Sequence, residues 1–181
     1  MNLTDLLSPA IRRSTLDVFS TMVGASVKVQ EIPSHAHDGD VQEGVASFIG
    51  LAGPWAGTGS ILCSPILACR VCSQMLMTEK PQVDEEVLDA IAELTNMIVG
   101  GVKTELEHVL GPLGLSIPTV IFGRNFKTKS AGTAQGTVER FRWDAEVFQV
   151  KVCLAPNQRD GLPRPSACPV EVHPSPADDG G

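Results

Sequence analysis

The stretch from Asp84 to Gly111, DEEVLDAIAELTNMIVGGVKTELEHVLG, decides the fold that this sequence predicts. A helical period of about 3.6 residues places its large apolar side chains on one arc, which contains Val87, Leu88, Ile91, Leu94, Ile98, Val102, Leu106 and Val109. The opposite arc, which we call the polar stripe, carries Asp89, Glu93, Asn96, Gly100, Lys103 and Glu107. We therefore predict one long amphipathic helix that lies on a sheet and turns its polar stripe outward.

The same helix contains three residues that weaken a helix interior. Asn96 competes with the backbone for hydrogen bonds, and Gly100 and Gly101 each cost about 1 kcal/mol relative to Ala. Asp89, Glu93 and Asn96 are neighbours on the stripe, because i,i+4 and i,i+3 steps separate them. Close approach of another backbone, from a partner molecule or a neighbouring strand, would explain the glycines. We therefore treat the stripe as a candidate site, with Glu105 at the rim of the apolar contact.

The segments around the long helix predict two more helices and about six strands. We expect helices over Leu3–Val23 and 65–77, the second capped by Ser64 and buried because it is apolar on nearly all sides. Alternating or β-branched patterns predict strands over 25–32, 41–51, 57–63, 116–122, 132–143 and 145–154. The sequence Gly57-Thr-Gly59 lacks the lysine of a phosphate loop, so we assign it to a turn. The fold class is α+β, with the helices packed on a mixed or antiparallel sheet.

The domain organisation follows from length and composition. A chain of 181 residues supports one domain with its own core, which we place over residues 1–155. Residues 156–181 are rich in Pro and Gly and have no apolar periodicity, so we predict a disordered tail there.

Charge and apolar patterning exclude several classes of protein. A formal net charge of −7 argues against nucleic-acid binding, because neutralising phosphates requires clustered Lys and Arg. No apolar run approaches the length of a membrane span. The first residues lack the pattern of a secretory signal, so the cytoplasm is the expected compartment.

The metal-binding and redox alternatives are weak. The odd number of cysteines fits reduced thiols; they are Cys63, Cys69, Cys72, Cys153 and Cys168. Cys69 and Cys72 have CxxC spacing, but without a second such pair we favour buried core residues over a metal or redox site. His35 and His37 lie in a polar stretch, for which a solvated loop is favoured over a metal site. Trp55 either caps the core or forms an exposed contact.

The spacing on the stripe resembles a known family. Asp89, three residues, Glu93, two residues and Asn96, followed by Pro118 a further 22 positions on, is similar to the signature of the CheC/CheX/FliY phosphatases, which dephosphorylate the response regulator CheY. The segments AELTNMIVGGVK, SIPTVIFGRNF and SPAIRRSTLDVFSTMVGASVKV also resemble that family, and the resemblance covers most of residues 1–155. The motif occurs once, as in the single-site CheX type, which is a homodimer.

The resemblance implies a role for each residue of the motif. Asn96 would orient the attacking water and Glu93 would pair with the active-site lysine of a phosphorylated CheY-like receiver domain. Asp89 would support that contact or orient Glu93, Gly100 would admit the partner's backbone, and Pro118 would shape the loop beneath the helix. Magnesium would belong to the receiver, so the chain would need no cofactor of its own. The alternative is a non-catalytic binding module similar to CheC or to the flagellar switch protein FliM.

Overall fold

Three α-helices and seven strands are formed by the residues that this computed structural model describes, which are 2–31, 41–126 and 135–157. The helices are α1 (Leu3–Val18), continued by a π-helical turn (Phe19–Val23), α2 (Pro65–Leu76) and α3 (Glu85–Leu110). The strands are β1 (Lys28–Gln30), β2 (Val41–Ala52), β3 (Trp55–Cys63), β4 (Gly114–Leu115), β5 (Thr119–Phe126), β6 (Gln135–Trp143) and β7 (Glu146–Pro156).

The strands form one antiparallel sheet in the order β1-β6-β7-β3-β2-β4, and β5 also pairs with β2. Strand β2 is long enough for both β4 and β5 to pair along the same edge, β4 at Leu51 and Ala52 and β5 from Phe48 back to Val41. The predicted α+β class and sheet are confirmed. The additional strand, β4, has two residues and is too short to show an alternating pattern.

Helix α3 packs on β2, β3 and β5, with α1 and α2 in contact beside it. Its approach to the sheet depends on Gly59, since a Cβ there would lie 2.6 Å from a methyl carbon of Val99. Gly57 and Gly59 belong to β3, in agreement with the strand predicted over 57–63, so their assignment to a turn is wrong. The connection between β2 and β3 is made by Gly53 and Pro54 alone.

The expected burial of the short helix is also wrong. Ile66 is 68% exposed and Met77, which follows the last turn of α2, is 94% exposed. The helix contacts α3 and β2 and buries the side that carries Leu67, Val71 and Cys72. When a helix is apolar on all sides, its sequence does not indicate which side will pack against the rest of the protein.

The cysteines within the described residues are buried and form no disulfide, as the core interpretation predicts; they are Cys63, Cys69, Cys72 and Cys153. Burial raises the pKa of Cys63 to about 12 and also raises the pKa of Cys69 and of Cys72. Such thiols stay protonated and are poor nucleophiles. Trp55 is half-buried and packs against the core.

Some predictions lie wholly or partly outside the described residues. His35, His37, Cys168 and most of the 156–181 tail are among them. Strand β7 ends at Pro156, one residue beyond the predicted end of the domain. In the part of the chain that is described, no helix has the length and apolar character needed to cross a membrane.

Candidate functional site

The start of α3 is held by hydrogen bonds in its first turn. Asp84 is the N-cap, and its carboxylate accepts a hydrogen bond of 2.9 Å from the backbone N–H of Val87. Lys80 donates to the same carboxylate at 3.1 Å and also bonds Glu86. The bond from Val87, followed by the bond from Lys80, lowers the pKa of Asp84. The Asp84 carboxylate stabilises the N-terminal end of α3 both as a hydrogen-bonding cap and through its favourable interaction with the helix dipole.

The buried side of α3 agrees with the predicted apolar arc except at Leu88, which is half-buried, and near the end of the helix. The buried residues are Val87, Ala90, Ile91, Leu94, Thr95, Ile98, Val99, Val102, Leu106 and Leu110. Val109 is 48% exposed, and its predicted burial is wrong. The buried row follows i,i+4 steps from Ile98 onward, so it drifts around the helix and reaches Leu110 in place of Val109.

The side chains in the N-terminal part of the polar stripe have no bonding partner among the described residues. Asp89 and Glu93 are exposed and Asn96 is half-buried. Among the residues that the structure describes, none bonds or forms an ion pair with the side chains of these three. Two carboxylates and a carboxamide therefore lie side by side on one helix surface with their bonding capacity unused.

The C-terminal part of the stripe is bonded within the chain. Lys103 and Glu107 form an ion pair of 2.9 Å, and Glu107 also accepts the backbone N–H of Leu113 at 2.9 Å. The bond from Leu113 is the main cause that lowers the pKa of Glu107, and Lys103 adds to it. At the edge of the helix, Glu105 bonds Arg13 of α1 at 2.8 Å, in agreement with its predicted place at the rim.

The two glycines have different surroundings. A Cβ on Gly101 would lie 2.3 Å from Oγ of Ser14, which donates a hydrogen bond of 2.7 Å to the carbonyl of Ile98. Gly101 therefore admits helix α1, which is neither of the two neighbours that the sequence suggested. A Cβ on Gly100 would meet only Leu115, at 3.8 Å, which is an ordinary contact. Packing within the chain thus explains Gly101 and does not explain Gly100.

Pro118 lies between β4 and β5, and it is half-buried. Strand β5 packs along α3, and Leu115 of β4 lies beside Gly100. The connection that contains Pro118 therefore borders the helix on the side of the polar stripe. No group of three or more His, Cys, Asp or Glu side chains converges as a metal site in the described ranges 2–31, 41–126 and 135–157.

Comparison with known proteins identifies the family. The family model described as "Chemotaxis phosphatase CheX" matches residues 45–142, more than half of the chain. The chain belongs to the CheX family. That match includes α3, the polar stripe and Pro118, and it confirms the resemblance drawn from the motif.

Individual relatives agree with this CheX assignment. The CheY-P phosphatase CheX of Thermotoga maritima is 32% identical over 124 residues, which are 68% of this chain and 79% of that protein. A CheC-like superfamily protein from Shewanella sp. PV-4 has a TM-score of 0.74 at 27% identity, with 86% of this chain and 99% of that chain covered. The crystal structure of the CheX-CheY-BeF3-Mg+2 complex from Borrelia burgdorferi has the same fold, with a TM-score of 0.68 at 21% identity and coverage of 82% and 97%.

Sequence reasoning missed two structural features beside the polar stripe. Leu115 was not singled out, because β4 gives no recognisable pattern. Glu107 was placed on the stripe without a role. A carboxylate near the C-terminal end of a helix interacts unfavourably with the helix dipole. An acidic residue in that position therefore indicates that a specific hydrogen bond compensates for this interaction.

Proposed function

We propose that this protein dephosphorylates the phosphoaspartate of a CheY-like receiver domain, using Glu93 and Asn96. The observation that carries the proposal is that Asp89, Glu93 and Asn96 are adjacent on α3 and have no partner among the described residues. The Thermotoga relative is a CheY-P phosphatase, and the Borrelia relative was crystallised with CheY. Both relatives support a receiver as the molecule that these side chains meet.

In this mechanism Asn96 holds the attacking water. Hydrolysis of a phosphoryl group depends mainly on positioning and on stabilisation of charge. The carbonyl oxygen of the amide accepts a hydrogen bond from the water, and its NH₂ group remains free to donate. Because α3 is fixed at both ends, the water is held in line with the phosphorus at little entropic cost.

The other residues of the motif act on the receiver itself. Glu93 pairs with the active-site lysine of the receiver, and Asp89 adds negative charge beside that contact. Gly100 lets the receiver's backbone approach α3 closely, and Pro118 fixes the connection that borders the stripe. The magnesium ion of the reaction is assigned to the receiver, and no cofactor is assigned to this chain.

We also propose a homodimer and a cytoplasmic location. Among the described strands, β5 is the longest that lies at an edge of the sheet, and Ile121 on it is exposed. An edge strand of this length is suited to pairing with a second copy. A receiver substrate makes the cytoplasm the compartment in which the enzyme would act.

The test compares Asn96→Ala with a matched control, Gln74→Ala, which alters an exposed polar residue of α2. Phosphate release from a phosphorylated CheY-like receiver is measured with each variant. We expect Asn96→Ala to lose about 10²–10³-fold in rate, the size expected for one positioned hydrogen-bonding group. The control should retain the wild-type rate.

Binding is measured separately, with a receiver loaded with beryllofluoride. Asn96→Ala should bind within about threefold of wild type, because the lost group acts mainly on the water. If the wild-type protein binds this receiver without accelerating loss of phosphate, the phosphatase proposal fails and the non-catalytic binding module is favoured.

A further inference from the structure

The connection between β4 and β5 contains one residue more than the strand opposite it. Leu115 pairs with Leu51 and Thr119 pairs with Phe48, so the chain takes four steps where β2 takes three. One extra residue opposite a partner strand is a β-bulge, which re-aims a side chain away from the sheet. The residue turned outward here is Ile117, which is 88% exposed.

The bulge is held by two hydrogen bonds between Ser116 and Gly50 of β2 and by one within the connection itself. Ser116 donates its backbone N–H to the carbonyl of Gly50 at 2.9 Å, and its Oγ accepts the N–H of Gly50 at 2.8 Å. The same hydroxyl donates to the carbonyl of Ile117 at 3.0 Å. Pro118 then fixes the next φ angle. Ile117 thus projects from an ordered backbone, so a partner that binds over it pays little entropic cost for ordering this part of the chain.

The bulge adjoins the surface on which the receiver is proposed to dock. Leu115 immediately precedes the bulge and lies beside Gly100, and β5 follows it along α3. Gly100 in turn is one helical turn from Asn96 on the polar stripe. Ile117 therefore supplies an exposed apolar group next to a stripe that has only charged or polar side chains and a glycine.

We propose that Ile117 is an apolar anchor that the receiver domain covers when its phosphoaspartate reaches Asn96. The inference rests on the proposed phosphatase function and assigns to the same site a contact outside the motif. The receiver meets Ile117 with apolar side chains next to its phosphorylated pocket, while Asp89 and Glu93 meet its cationic groups. The continuous path from Asn96 through Gly100 and Leu115 to the bulge is the reason for choosing the receiver as the occupant over a second copy of the chain.

The experiment measures dephosphorylation over a range of phosphorylated receiver concentrations with Ile117→Ser, Ile117→Leu and Ile66→Ser. Ile66 is the matched control, because it is an exposed isoleucine on α2 and outside the proposed contact. We expect Ile117→Ser to raise KM about tenfold, as loss of one buried apolar side chain implies, with kcat within about twofold. Ile117→Leu should restore most of the lost affinity, and Ile66→Ser should match wild type.

Three results would overturn the proposal. An unchanged KM for Ile117→Ser in an active enzyme would show that the receiver does not cover the side chain. A lowered kcat with normal KM would place the effect in the reaction and not in docking. A change in oligomeric state of Ile117→Ser, measured by light scattering, would show that a second copy covers it.

A separate binding arm keeps this inference distinct from the proposed function. If wild type does not accelerate loss of phosphate, the phosphatase assignment fails by itself. Binding of beryllofluoride-loaded receiver to wild type and to Ile117→Ser then decides the anchor alone. Weaker binding of the variant supports it, whereas equal binding, or no binding by wild type, rejects it.

Discussion

The two parts of the polar stripe on α3 use similar side chains for different purposes. Lys103 and Glu107 at the C-terminal part bond one another, and Glu107 holds the backbone of Leu113. Glu93 and Asn96 at the N-terminal part bond nothing among the described residues. Polar groups on one helix can thus serve the fold at one end and remain available to a partner at the other.

The adjacent glycines repeat this contrast at the level of packing. Gly101 is needed within the chain because Ser14 occupies the space that a Cβ would fill. Gly100 has room for a methyl group beside Leu115, yet the chain retains a residue that weakens the helix. Gly100, which packing within the chain does not explain, lies on the polar stripe one helical turn from Asn96.

Within this comparison, the largest expected effect comes from removing one carboxylate from each part of the stripe in turn. Glu93→Ala should reduce receiver dephosphorylation by about 10–100-fold, because it removes a charge-assisted contact with the receiver, and should leave the melting temperature unchanged. Glu107→Ala should lower the melting temperature and keep the rate within about threefold. Phosphate release and thermal unfolding of both variants test this, and equal losses of rate would contradict the division.

The next effect concerns stability. Gly101→Ala places a Cβ against Ser14 and disturbs its hydrogen bond to Ile98, so we expect a net loss of about 1–2 kcal/mol in the free energy of unfolding. Denaturant unfolding measures it. Gly101→Ala combined with Ser14→Ala is the control, since removing the hydroxyl relieves the closest contact and should recover part of the loss. No recovery would place the cause elsewhere.

A smaller effect of opposite sign is expected at the neighbouring glycine. Gly100→Ala should raise the free energy of unfolding by up to about 1 kcal/mol through helix propensity, because the methyl group fits beside Leu115. The same change should weaken binding of beryllofluoride-loaded receiver by a few fold, about 3–10-fold for a methyl that separates two backbones. A variant that is more stable and binds as tightly as wild type would remove Gly100 from the docking surface.

The smallest effect is a dependence of stability on pH. The folded-state pKa of Glu107 is lowered from 4.5, first by the bond from Leu113 and then by Lys103. A lowered pKa means that the bonded carboxylate contributes stability above about pH 4.5 and loses it as the pH falls through the folded-state value. Urea unfolding of wild type and Glu107→Gln at pH values from neutral down through this range should show a smaller loss in the variant. Parallel curves would contradict the assignment, and the effect is small because Glu107 is close to solvent.

Local rules were sufficient for the parts of the fold that depend on neighbouring residues. The N-cap Ser64, the span of α3 and the adjacency of Glu93 and Asn96 all follow from capping and helical period, and the structure contains them. The sequence-based family resemblance supplied the assignment of these side chains to a reaction, which helical period alone does not provide.

The remaining features depend on contacts between distant parts of the chain. Burial of α2 is decided by where α3 and β2 lie, and Gly59 is explained by Val99 packing over it. The bulge at Ile117 exists only relative to β2, since an extra residue is defined by the strand opposite. No single segment carries the information that locates these features.

The pairing of β4 and β5 with one common strand has a consequence for how this surface can change. Removing one residue between Leu115 and Thr119 would join the two into a continuous strand and retain the partners of both along β2. The sheet would keep its order while the outward isoleucine disappeared. Chain length at that point, more than side-chain chemistry, therefore determines whether the molecule offers a projection beside its helix, and single-residue insertions and deletions are a route by which related chains could gain or lose it.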